Sequence, residues 1–348
     1  METLIRRIDT GIPGERAMLD DFLLRRKISL DAGATYTAGL FDENDALLAT
    51  GSVLGNTIRS LAVREDLTGH GLLGTLVTHL TEYLFERGIT HVFVYTKCGY
   101  ARLFEDLGFY EVARAEPFAV LLENKRTGFS DFLQALSQES GGAQKSAAIV
   151  MNANPMTLGH LALIEKAAQE NQRVHVFVVS EERSFFPAQA RLDIVKQSVL
   201  KLKNVLVHQT GDYLVSSATF PTYFISGAED AVRAHALLDA AVFCKIAAGL
   251  GIEKRYVGTE PFSHTTLIYN EVLAKTLPPS GIELILVPRF SDENGLPYSA
   301  SRVRAVLKEQ GPEAAGALVP PETIRYFYSA EGRKTIETLR AAKDVAHH

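Results

Sequence analysis

After residue 146 the sequence alternates short apolar strands with amphipathic helices, and this alternation limits the fold more than any other feature of the chain. The runs "AAIVMN", "RVHVFVVS" and "IELILVP" are almost continuously apolar, and segments of helix length separate them. Such strands, alternating with helices, are typical of a parallel sheet that is covered on both faces. The pattern predicts a doubly wound α/β domain over 147–330, with ligands at the carboxyl ends of its strands.

The first third of the chain has a different rhythm. Strand-like runs such as "YTAGLFD", "LLATGSVLG" and "TIRSLAV" follow one another closely, and one helix is predicted at "GLLGTLVTHLTEYLFERG", where apolar residues recur every three or four positions. We therefore predict a mixed α+β domain over 1–123. The Gly-, Ser- and Gln-rich stretch 124–146 is predicted to be a linker with a short helix, and 331–348 a tail.

Composition and charge narrow the class of protein. A net charge of -5 and a pI near 6.1 argue against a nucleic-acid or membrane partner that is held by bulk electrostatics. The two cysteines, Cys98 and Cys244, lie far apart and form no CxxC pattern, so no disulfide framework is predicted. The N-terminus "METLIRRIDTG" lacks the apolar core of a signal peptide, and we expect a cytoplasmic protein.

The segment "NANPMTLGHLALIEKA" follows the first strand of the α/β domain. Pro155 ends the strand, and Gly159 removes a side chain where the backbone would approach a ligand. The helix that follows directs free amides and its positive dipole end toward the same point, with His160 in the first turn. This arrangement predicts an anion site, although Thr157 as a simple helix cap with a solvated His160 is an alternative.

A second helix start, in "LPYSASRVRAVLKEQG", has related features. Ser299 and Ser301 lie at the start of the helix, and Arg302 and Arg304 lie within its first turn. Cations at a helix N-terminus oppose the helix dipole unless an anion lies between them. Ser299 as a cap with solvated arginines is the alternative, but two phosphate-like helix starts in one sheet favour anion binding.

Together these motifs resemble the nucleotidyltransferase superfamily, which has an (H/T)xGH turn after its first strand and an ISxTxxR-like segment at a late helix. "TLGH" and "YSASRVR" match in order and spacing, and "SEERSFFPAQARLDIV" resembles the acceptor loop between them. The resemblance implies a Rossmann-like fold in which Gly159 and His160 bind the α-phosphate of ATP. Thr157 and His160 would stabilise the transition state, and Asn154 would lie near the phosphates.

The resemblance also implies roles for later residues. Ser299, Ser301 and Arg304 would hold the leaving pyrophosphate together with Mg²⁺, and Gly258 and Glu260 would shape the adenosine side of the cleft. No protein ligand of the metal is predicted, because magnesium usually binds the nucleotide phosphates with few protein contacts. Charge that builds on the attacked phosphate requires fixed amides, an imidazole donor and cations, which is the set these motifs supply.

The first domain resembles the GNAT acetyltransferase fold. "LAVREDLTGHGLLGTLV" corresponds to the Gly-rich turn and helix that bind the pyrophosphate of coenzyme A, and "LFEDLGF" corresponds to the closing helix and strand. With Gly71 aligned on the first glycine of the R/Q-x-x-G-x-G/A pattern, Thr68 and Leu73 depart from it. The domain either binds a CoA-like group without acetyl-CoA catalysis or serves as a scaffold.

The two parts in this order resemble the [citrate (pro-3S)-lyase] ligase family over essentially the whole chain. The resemblance implies that ATP activates acetate as acetyl-adenylate and releases pyrophosphate. The acetyl group then passes to the prosthetic-group thiol of the citrate lyase acyl-carrier subunit. Arg183 or Arg191 would orient acetate, with a surface arginine as the alternative for Arg191, and the GNAT-like domain would dock the CoA-like prosthetic arm.

Three other functions remain compatible with the sequence. A small-molecule adenylyltransferase, for pantetheine phosphate or a nicotinate nucleotide, would use a phosphorylated acceptor. A GNAT acetyltransferase with a nucleotide-sensing domain would bind acetyl-CoA without ATP turnover. A non-catalytic module would bind ATP and release nothing. Pyrophosphate release, and the acceptor that triggers it, distinguishes all of them.

Overall fold

The computed structural model describes residues 3–180, 182–214, 220–259 and 264–345. The chain forms two compact units. Unit 1 combines Met1–Asp131 with Pro221–Leu238, and unit 2 combines Phe132–Phe220 with Asp239–His348. The first unit therefore includes a segment that follows it by about ninety positions in sequence.

Unit 1 is a mixed α+β fold. Its strands are β1 (Leu4–Arg7), β2 (Tyr36–Phe41), β3 (Leu47–Leu54), β4 (Thr57–Val63), β5 (Phe93–Thr96), β6 (Tyr110–Ala115) and β7 (Ala119–Glu123). Its helices are α1 (Pro13–Arg25), α2 (Leu72–Phe85), α3 (Ala101–Glu105) and the start of α4 (Gly128–Glu139), with 3-10 turns at Glu65–Leu67 and Cys98–Tyr100.

In the described residues the strands of unit 1 form one sheet in the order β1-β2-β3-β4-β5-β7-β6. Neighbouring strands are antiparallel except for β4 and β5, whose parallel pairing covers Thr57 and Ile58 at the start of β4. Helix α2 buries Leu76, Leu80 and Leu84 completely, as its apolar spacing predicts. The mixed α+β fold with an antiparallel part that was predicted for this stretch is confirmed.

Unit 2 alternates strands and helices. Its strands are β8 (Ser146–Met151), β9 (Val174–Val178), β10 (Val205–Gln209), β11 (Ile252–Gly258) and β12 (Glu283–Val287). Its helices are the remainder of α4, α5 (Leu158–Glu170), α6 (Ala188–Ser198), the second half of α7 (Ala228–Leu250), α8 (His264–Thr276), α9 (Ala300–Glu309), α10 (Pro312–Ala315), α11 (Pro321–Tyr328) and α12 (Ala330–Ala341), with 3-10 turns at Pro278–Ser280 and Gly316–Leu318.

In the described residues the sheet of unit 2 has the order β10-β9-β8-β11-β12, and every neighbouring pair is parallel. The order reverses direction at β8, which lies at the centre, so the turn after β8 is the point where a ligand is expected in such a sheet. The doubly wound parallel fold predicted from the strand pattern is confirmed.

The stretches predicted to be a linker and a tail contain regular structure. Helix α4 occupies much of 124–146, and α12 occupies most of 331–348. Ile336 and Leu339 of α12 are buried in a cluster with Val303 and Leu307 of α9. The C-terminal stretch therefore belongs to the core of unit 2, because its apolar residues recur on one face of a helix.

Candidate active site

The turn between β8 and α5 carries the first motif. Thr157 is the N-cap of α5, and its Oγ1 accepts a hydrogen bond of 3.3 Å from the His160 backbone amide. In return the Thr157 amide donates to Nδ1 of His160 at 3.0 Å. Thr157 thus caps the helix, as the alternative interpretation of the sequence predicted. The two hydrogen bonds form a capping box, which also fixes the orientation of the His160 imidazole.

These contacts determine the tautomer of His160. A backbone amide is always a donor, so Nδ1 of His160 accepts and the hydrogen of the neutral ring lies on Nε2. Burial, together with the charge of Arg289, lowers the pKa of His160 to about 4. Near pH 7 the residue is therefore a neutral imidazole with one fixed N–H donor.

Asn154 joins the first motif to two other segments. Its side-chain Oδ1 accepts a hydrogen bond of 3.1 Å from the amide of Phe186, in the loop before α6. Its carbonyl oxygen accepts one of 2.6 Å from Nη1 of Arg304, in α9. Asn154 is almost fully buried. It shapes the turn through these bonds, and its place near the nucleotide phosphates stays a prediction.

Gly159 brings the two motifs together. A Cβ atom at this position would lie 2.9 Å from the carbonyl oxygen of Tyr298 and 3.1 Å from its Cβ. The chain before α9 therefore packs directly on the first turn of α5. Glycine is required here because of this backbone contact, whereas the sequence suggested close approach of a ligand.

The second motif forms the N-terminus of α9. Ser299 is the N-cap, and its Oγ accepts from the Arg302 amide at 3.2 Å. The hydroxyl oxygens of Ser299 and Ser301 lie 3.2 Å apart. Arg302 turns away from this helix end, since its Nη2 donates to Oδ2 of Asp292 at 2.6 Å. The hydroxyls and free amides of the first turn remain suited to an anion.

Arg304 is buried and forms hydrogen bonds with the protein backbone. Besides its bond to Asn154, its Nε donates to the carbonyl oxygen of Val345 at 2.6 Å. Burial lowers the pKa of Arg304 to about 10, while the charge of Asp344 acts in the opposite direction. Arg304 is thus a structural connector in this conformation, and its predicted contact with pyrophosphate stays a prediction.

The two arginines predicted to bind acetate have different environments. Arg191 is fully buried, and its Nε donates to the carbonyl oxygen of Phe186 at 2.9 Å while Nη1 donates to that of Val179 at 2.7 Å. The reading of Arg191 as a surface residue is therefore wrong. Arg183 is exposed in the loop before α6. Acetate binding by either arginine stays a prediction.

The turn after β11, like the turn after β8, lies at the carboxyl ends of the strands in the sheet of unit 2. Gly258 ends the strand, and a Cβ atom there would meet no atom of the described residues within 4 Å. Glu260, predicted to shape the adenosine side, lies outside the described residues. Beyond it, the Tyr269 hydroxyl donates to Oδ2 of Asp239 at 2.6 Å and accepts from Nη2 of Arg255 at 2.9 Å. Tyr269 therefore takes part in a buried polar network.

The motifs in the sequence did not single out Arg289, which also lies at the carboxyl ends of the strands. It follows β12, which neighbours β11 in the sheet, and its positive charge contributes to the low pKa of His160. The signal was present in the sequence, as "LVPR" places an arginine two positions beyond a predicted strand of the parallel sheet.

Unit 1 contains a cavity of about 380 Å³. One wall is the turn before α2, where Gly69 and Gly71 have φ angles of 89° and 80° that favour glycine. Arg26 and Lys97 lie in the polar part of the lining, and most of the remaining wall is apolar. The cavity lies where the resemblance predicts a site for a CoA-like group.

Two aromatic residues of the cavity come from a distant part of the sequence. Tyr223 and Phe224, in the segment after β10, line the same cavity. Burial raises the pKa of Tyr223 to about 12, against the effect of a hydrogen bond from the backbone of Ser60 in β4. Sequence reasoning missed them because nothing in that segment indicates that it packs in unit 1.

Three further observations concern metal ligands, thiols and membrane-spanning helices. Among the described residues no three His, Cys, Asp or Glu side chains are grouped as a metal site, and both cysteines are free thiols. In the described part of the chain, no helix combines the length and the apolar character needed to cross a membrane.

The fold and the site define a two-unit protein in which a mixed α+β unit precedes a doubly wound, parallel α/β unit with a TxGH turn. The C-terminal domain of citrate lyase ligases matches residues 146–327. The [citrate [pro-3S]-lyase] ligase of Klebsiella pneumoniae is 35% identical over 90% of this chain and 92% of its own length. That of Escherichia coli K12 is 35% identical over 93% of both chains. The chain belongs to the [citrate (pro-3S)-lyase] ligase family.

Among solved structures, the ribosomal-protein-S18-alanine N-acetyltransferase of Escherichia coli is similar to 35% of this chain and covers 92% of its own. The sequence identity is 18% and the TM-score is 0.29.

Proposed function

We propose that this protein activates acetate with ATP and transfers the acetyl group to the prosthetic-group thiol of the citrate lyase acyl-carrier subunit. The observation that carries the proposal is the neutral imidazole of His160, whose Nε2–H is fixed by Thr157 beside two helix N-termini at one edge of the sheet. Family membership supports citrate lyase as the protein that is acted on, because the relatives are named as ligases of citrate lyase.

The first step is nucleotidyl transfer to a carboxylate. An acetate oxygen attacks the α-phosphorus of MgATP, the bond to the bridging oxygen breaks, and pyrophosphate leaves with that electron pair. Negative charge builds on the oxygens of the attacked phosphate, where the Nε2–H of His160 and the amides at the start of α5 can donate to it. The hydroxyls of Ser299 and Ser301 at the start of α9 suit the leaving pyrophosphate. Magnesium enters with the nucleotide.

The second step transfers the acetyl group. The thiol of the prosthetic arm loses its proton, its sulfur attacks the carbonyl carbon of acetyl-adenylate, and AMP leaves as the thioester forms. We assign the cavity of unit 1 to the arm. Its apolar walls suit a pantetheine chain, and the turn at Gly69 and Gly71, with Arg26 and Lys97, suits the phosphate that such an arm carries. We place the reaction in the cytoplasm, where ATP and reduced thiols are available.

Pyrophosphate release tests the first step. Purified protein is given MgATP with acetate alone, and then with deacetylated citrate lyase, and wild type is compared with His160→Ala. We expect acetate-dependent release that increases with the lyase and falls about 10²–10³-fold in the variant, the usual cost of one transition-state donor. Glu165→Gln, at an exposed position of the same helix, is the matched control.

The rival functions give different results in the same assay. Release with pantetheine phosphate or a nicotinate nucleotide, and none with acetate, would identify a small-molecule adenylyltransferase. Acetyl-CoA consumption without pyrophosphate would identify an acetyltransferase. The absence of pyrophosphate release with every acceptor would indicate a module that binds ATP without turning it over.

Docking of the arm is tested separately by the affinity for the carrier subunit. Gly71→Val places a branched side chain at the cavity wall, and we expect at least tenfold weaker binding. Gly88→Val strains a similar positive φ, 77° against 80°, at the other end of α2 and outside the cavity lining. If both variants bind the carrier equally well, the cavity is not the docking site.

A further inference from the structure

The cavity of unit 1 lies between two strands that separate. In the described residues, β4 and β5 pair in parallel only at Thr57 and Ile58, at the start of β4. The later parts of both strands, 61–63 and 95–96, line the cavity instead of pairing with each other. The cavity therefore has a narrow end near the last paired residue and a wide end near the turn before α2.

The positive charges of the cavity lie at its wide end. Among the described residues that line it, the basic side chains are Arg26 and Lys97. Lys97 directly follows β5. Arg26 pairs at 3.2 Å with Glu65, in the 3-10 turn that leads from β4 to the glycine turn. The phosphate of a CoA-like ligand is expected at this end, so the end of the chain that carries the sulfur points toward the narrow end.

Tyr223 lies at the narrow end. Its carbonyl oxygen accepts a hydrogen bond of 3.2 Å from the Ser29 amide, and its hydroxyl forms a hydrogen bond with the backbone of Ser60. Ser60 is two positions beyond Ile58, where the pairing of β4 with β5 ends. Phe224 is buried and packs edge-on against Tyr223, with the ring centroids 5.1 Å apart. The two rings therefore form the wall of the cavity where the strands begin to separate.

The surroundings of Tyr223 hold it in place. Ser60 has a φ angle of 50°, which residues other than glycine rarely adopt. Its Oγ donates to the carbonyl oxygen of Ser29 at 3.1 Å and accepts from the Asp31 amide at 3.0 Å. Asp31 in turn forms an ion pair with Arg59 at 2.6 Å, with at most 10% of either side chain exposed. A ligand would have to disturb this buried set of bonds to displace Tyr223.

We infer that Tyr223 is the end wall that meets the sulfur of the bound arm and makes the cavity selective for the free thiol over the acetyl thioester. This inference rests on the proposed function. An acetyl group adds a carbonyl and a methyl group beyond the sulfur, and a close-packed wall accepts added atoms only if it is displaced. The deacetylated carrier is then the form that binds, and the acetylated product is released.

The selectivity is measured by calorimetry on the full chain, with coenzyme A and acetyl-CoA as the probes. We expect wild type to bind coenzyme A at least about tenfold more tightly, since a pocket of fixed size rejects one added methylene by about 10–200-fold. Tyr223→Phe keeps the ring and should keep this ratio. Tyr223→Ala removes the wall and should lower the ratio to less than about threefold. Equal affinities in wild type, or an unchanged ratio in Tyr223→Ala, would overturn the inference.

Tyr100→Ala is the matched control. Tyr100 also lines the cavity, but it follows β5 at the wide end and is 49% exposed. We expect this variant to weaken the binding of both ligands by the same factor, so that their ratio stays that of wild type. Thermal melting shows whether each variant is folded, and Tyr223→Leu, which loses less packing, replaces Tyr223→Ala if the latter unfolds. Loss of selectivity in Tyr100→Ala as well would show that Tyr223 is not its determinant.

The acetate assay separates this inference from the proposed function. A wild type that releases pyrophosphate with acetate but binds coenzyme A and acetyl-CoA equally would refute the end wall and leave the ligase chemistry standing. Selective binding of coenzyme A without acetate-dependent release would support the end wall and refute that chemistry. If wild type binds neither probe, the end wall and the assignment of the arm to this cavity are both wrong.

Discussion

Nη1 of Arg304 donates to the carbonyl oxygen of Asn154 across 2.6 Å and so joins two parts of the chain that are 150 positions apart. The bond lies between the turn after the first strand of unit 2 and the first turns of α9. It holds the two helix starts of the candidate site in one arrangement. In this structure Arg304 therefore affects the site by holding the backbone segments of the two helix starts together.

This relationship predicts a large stability effect for Arg304. In Arg304→Gln, the carbonyls of Asn154 and Val345 lose charged donors in a buried place, and such hydrogen bonds contribute about 1.5–3 kcal/mol each. We expect the free energy of unfolding, measured in urea, to fall by about 2–4 kcal/mol. Arg325→Gln is the control, because the exposed pair of Arg325 with Glu322 contributes at most about 1 kcal/mol. Equal effects in the two variants would contradict the connector role.

Gly159→Ala should be costly. The added methyl group would lie 2.9 Å from the backbone oxygen of Tyr298, which can move only with its whole hairpin. We expect a loss of about 1–3 kcal/mol in unfolding free energy, as for other overpacked positions, and slower pyrophosphate release, because the two helix starts separate.

The matched control is Gly249→Ala in α7, where a Cβ atom meets only ordinary contacts beyond 3.8 Å. Replacing an exposed helical glycine with alanine should stabilise the protein by up to about 1 kcal/mol. If chemical denaturation shows no difference between the two variants, the contact between the motifs is looser than the structure indicates.

These residues also show what sequence reasoning could and could not establish. Strand-like runs and helix starts follow from local patterns, so the parallel sheet and the positions of Thr157, His160 and Ser299 were predictable. The hydrogen-bond partners of Arg191 and Arg304 could not be predicted in this way. A guanidinium at a helix start satisfies the same pattern whether it faces an anion or a distant backbone carbonyl, and only tertiary packing selects between them.

The missed residues have a similar explanation. Tyr223 lines a cavity of unit 1 although its segment follows β10 in sequence, and pattern analysis assigns such segments to their sequence neighbours. The prediction of a tail over 331–348 is wrong, because Ile336 and Leu339 lie on one face of α12 and are buried. That apolar face is a local signature, whereas the segment of Tyr223 has none that would place it in unit 1.

The buried ion pair of Asp239 and Arg255 gives a third prediction. The two side chains meet at 2.9 Å and are at least 95% buried, and the Tyr269 hydroxyl bonds to both. Asp239→Asn leaves a buried guanidinium without its countercharge, and we expect a loss of about 3–5 kcal/mol in unfolding free energy. Tyr269→Phe should cost about 1–2 kcal/mol, because it removes the bridging hydroxyl only.

An exposed pair provides the comparison. Arg16 and Asp20 meet at 2.7 Å on the surface of α1, with about half of each side chain exposed. Asp20→Asn should change stability by less than about 1 kcal/mol. If urea denaturation shows that Asp239→Asn also lowers the free energy of unfolding by less than about 1 kcal/mol, water reaches the buried pair.

The pH dependence of stability should reflect three histidines of unit 2 whose pKa values are lowered. In unit 2, Nδ1 of His175 meets Nε2 of His208 at 3.0 Å, and Nδ1 of His208 meets the Glu139 carboxylate at 3.3 Å. Burial, aided by the charges of His208 and Arg173, lowers the pKa of His175 to about 3, and burial also lowers that of His208. His175 and His160, whose pKa is about 4, are therefore neutral in the folded protein above pH 5.

Unfolding returns each imidazole to its ordinary pKa of about 6.5. Below that pH the unfolded chain binds protons that the folded chain does not, so the stability from these residues is complete above about pH 6.5 and is lost as the pH falls toward 4. We expect His175→Gln to reduce the slope of unfolding free energy against pH by about 1 kcal/mol per unit between pH 6 and 4. The control is His70→Gln, at an exposed position. Parallel slopes for wild type and His175→Gln in urea titrations across this range would show that His175 binds protons equally in the folded and unfolded states.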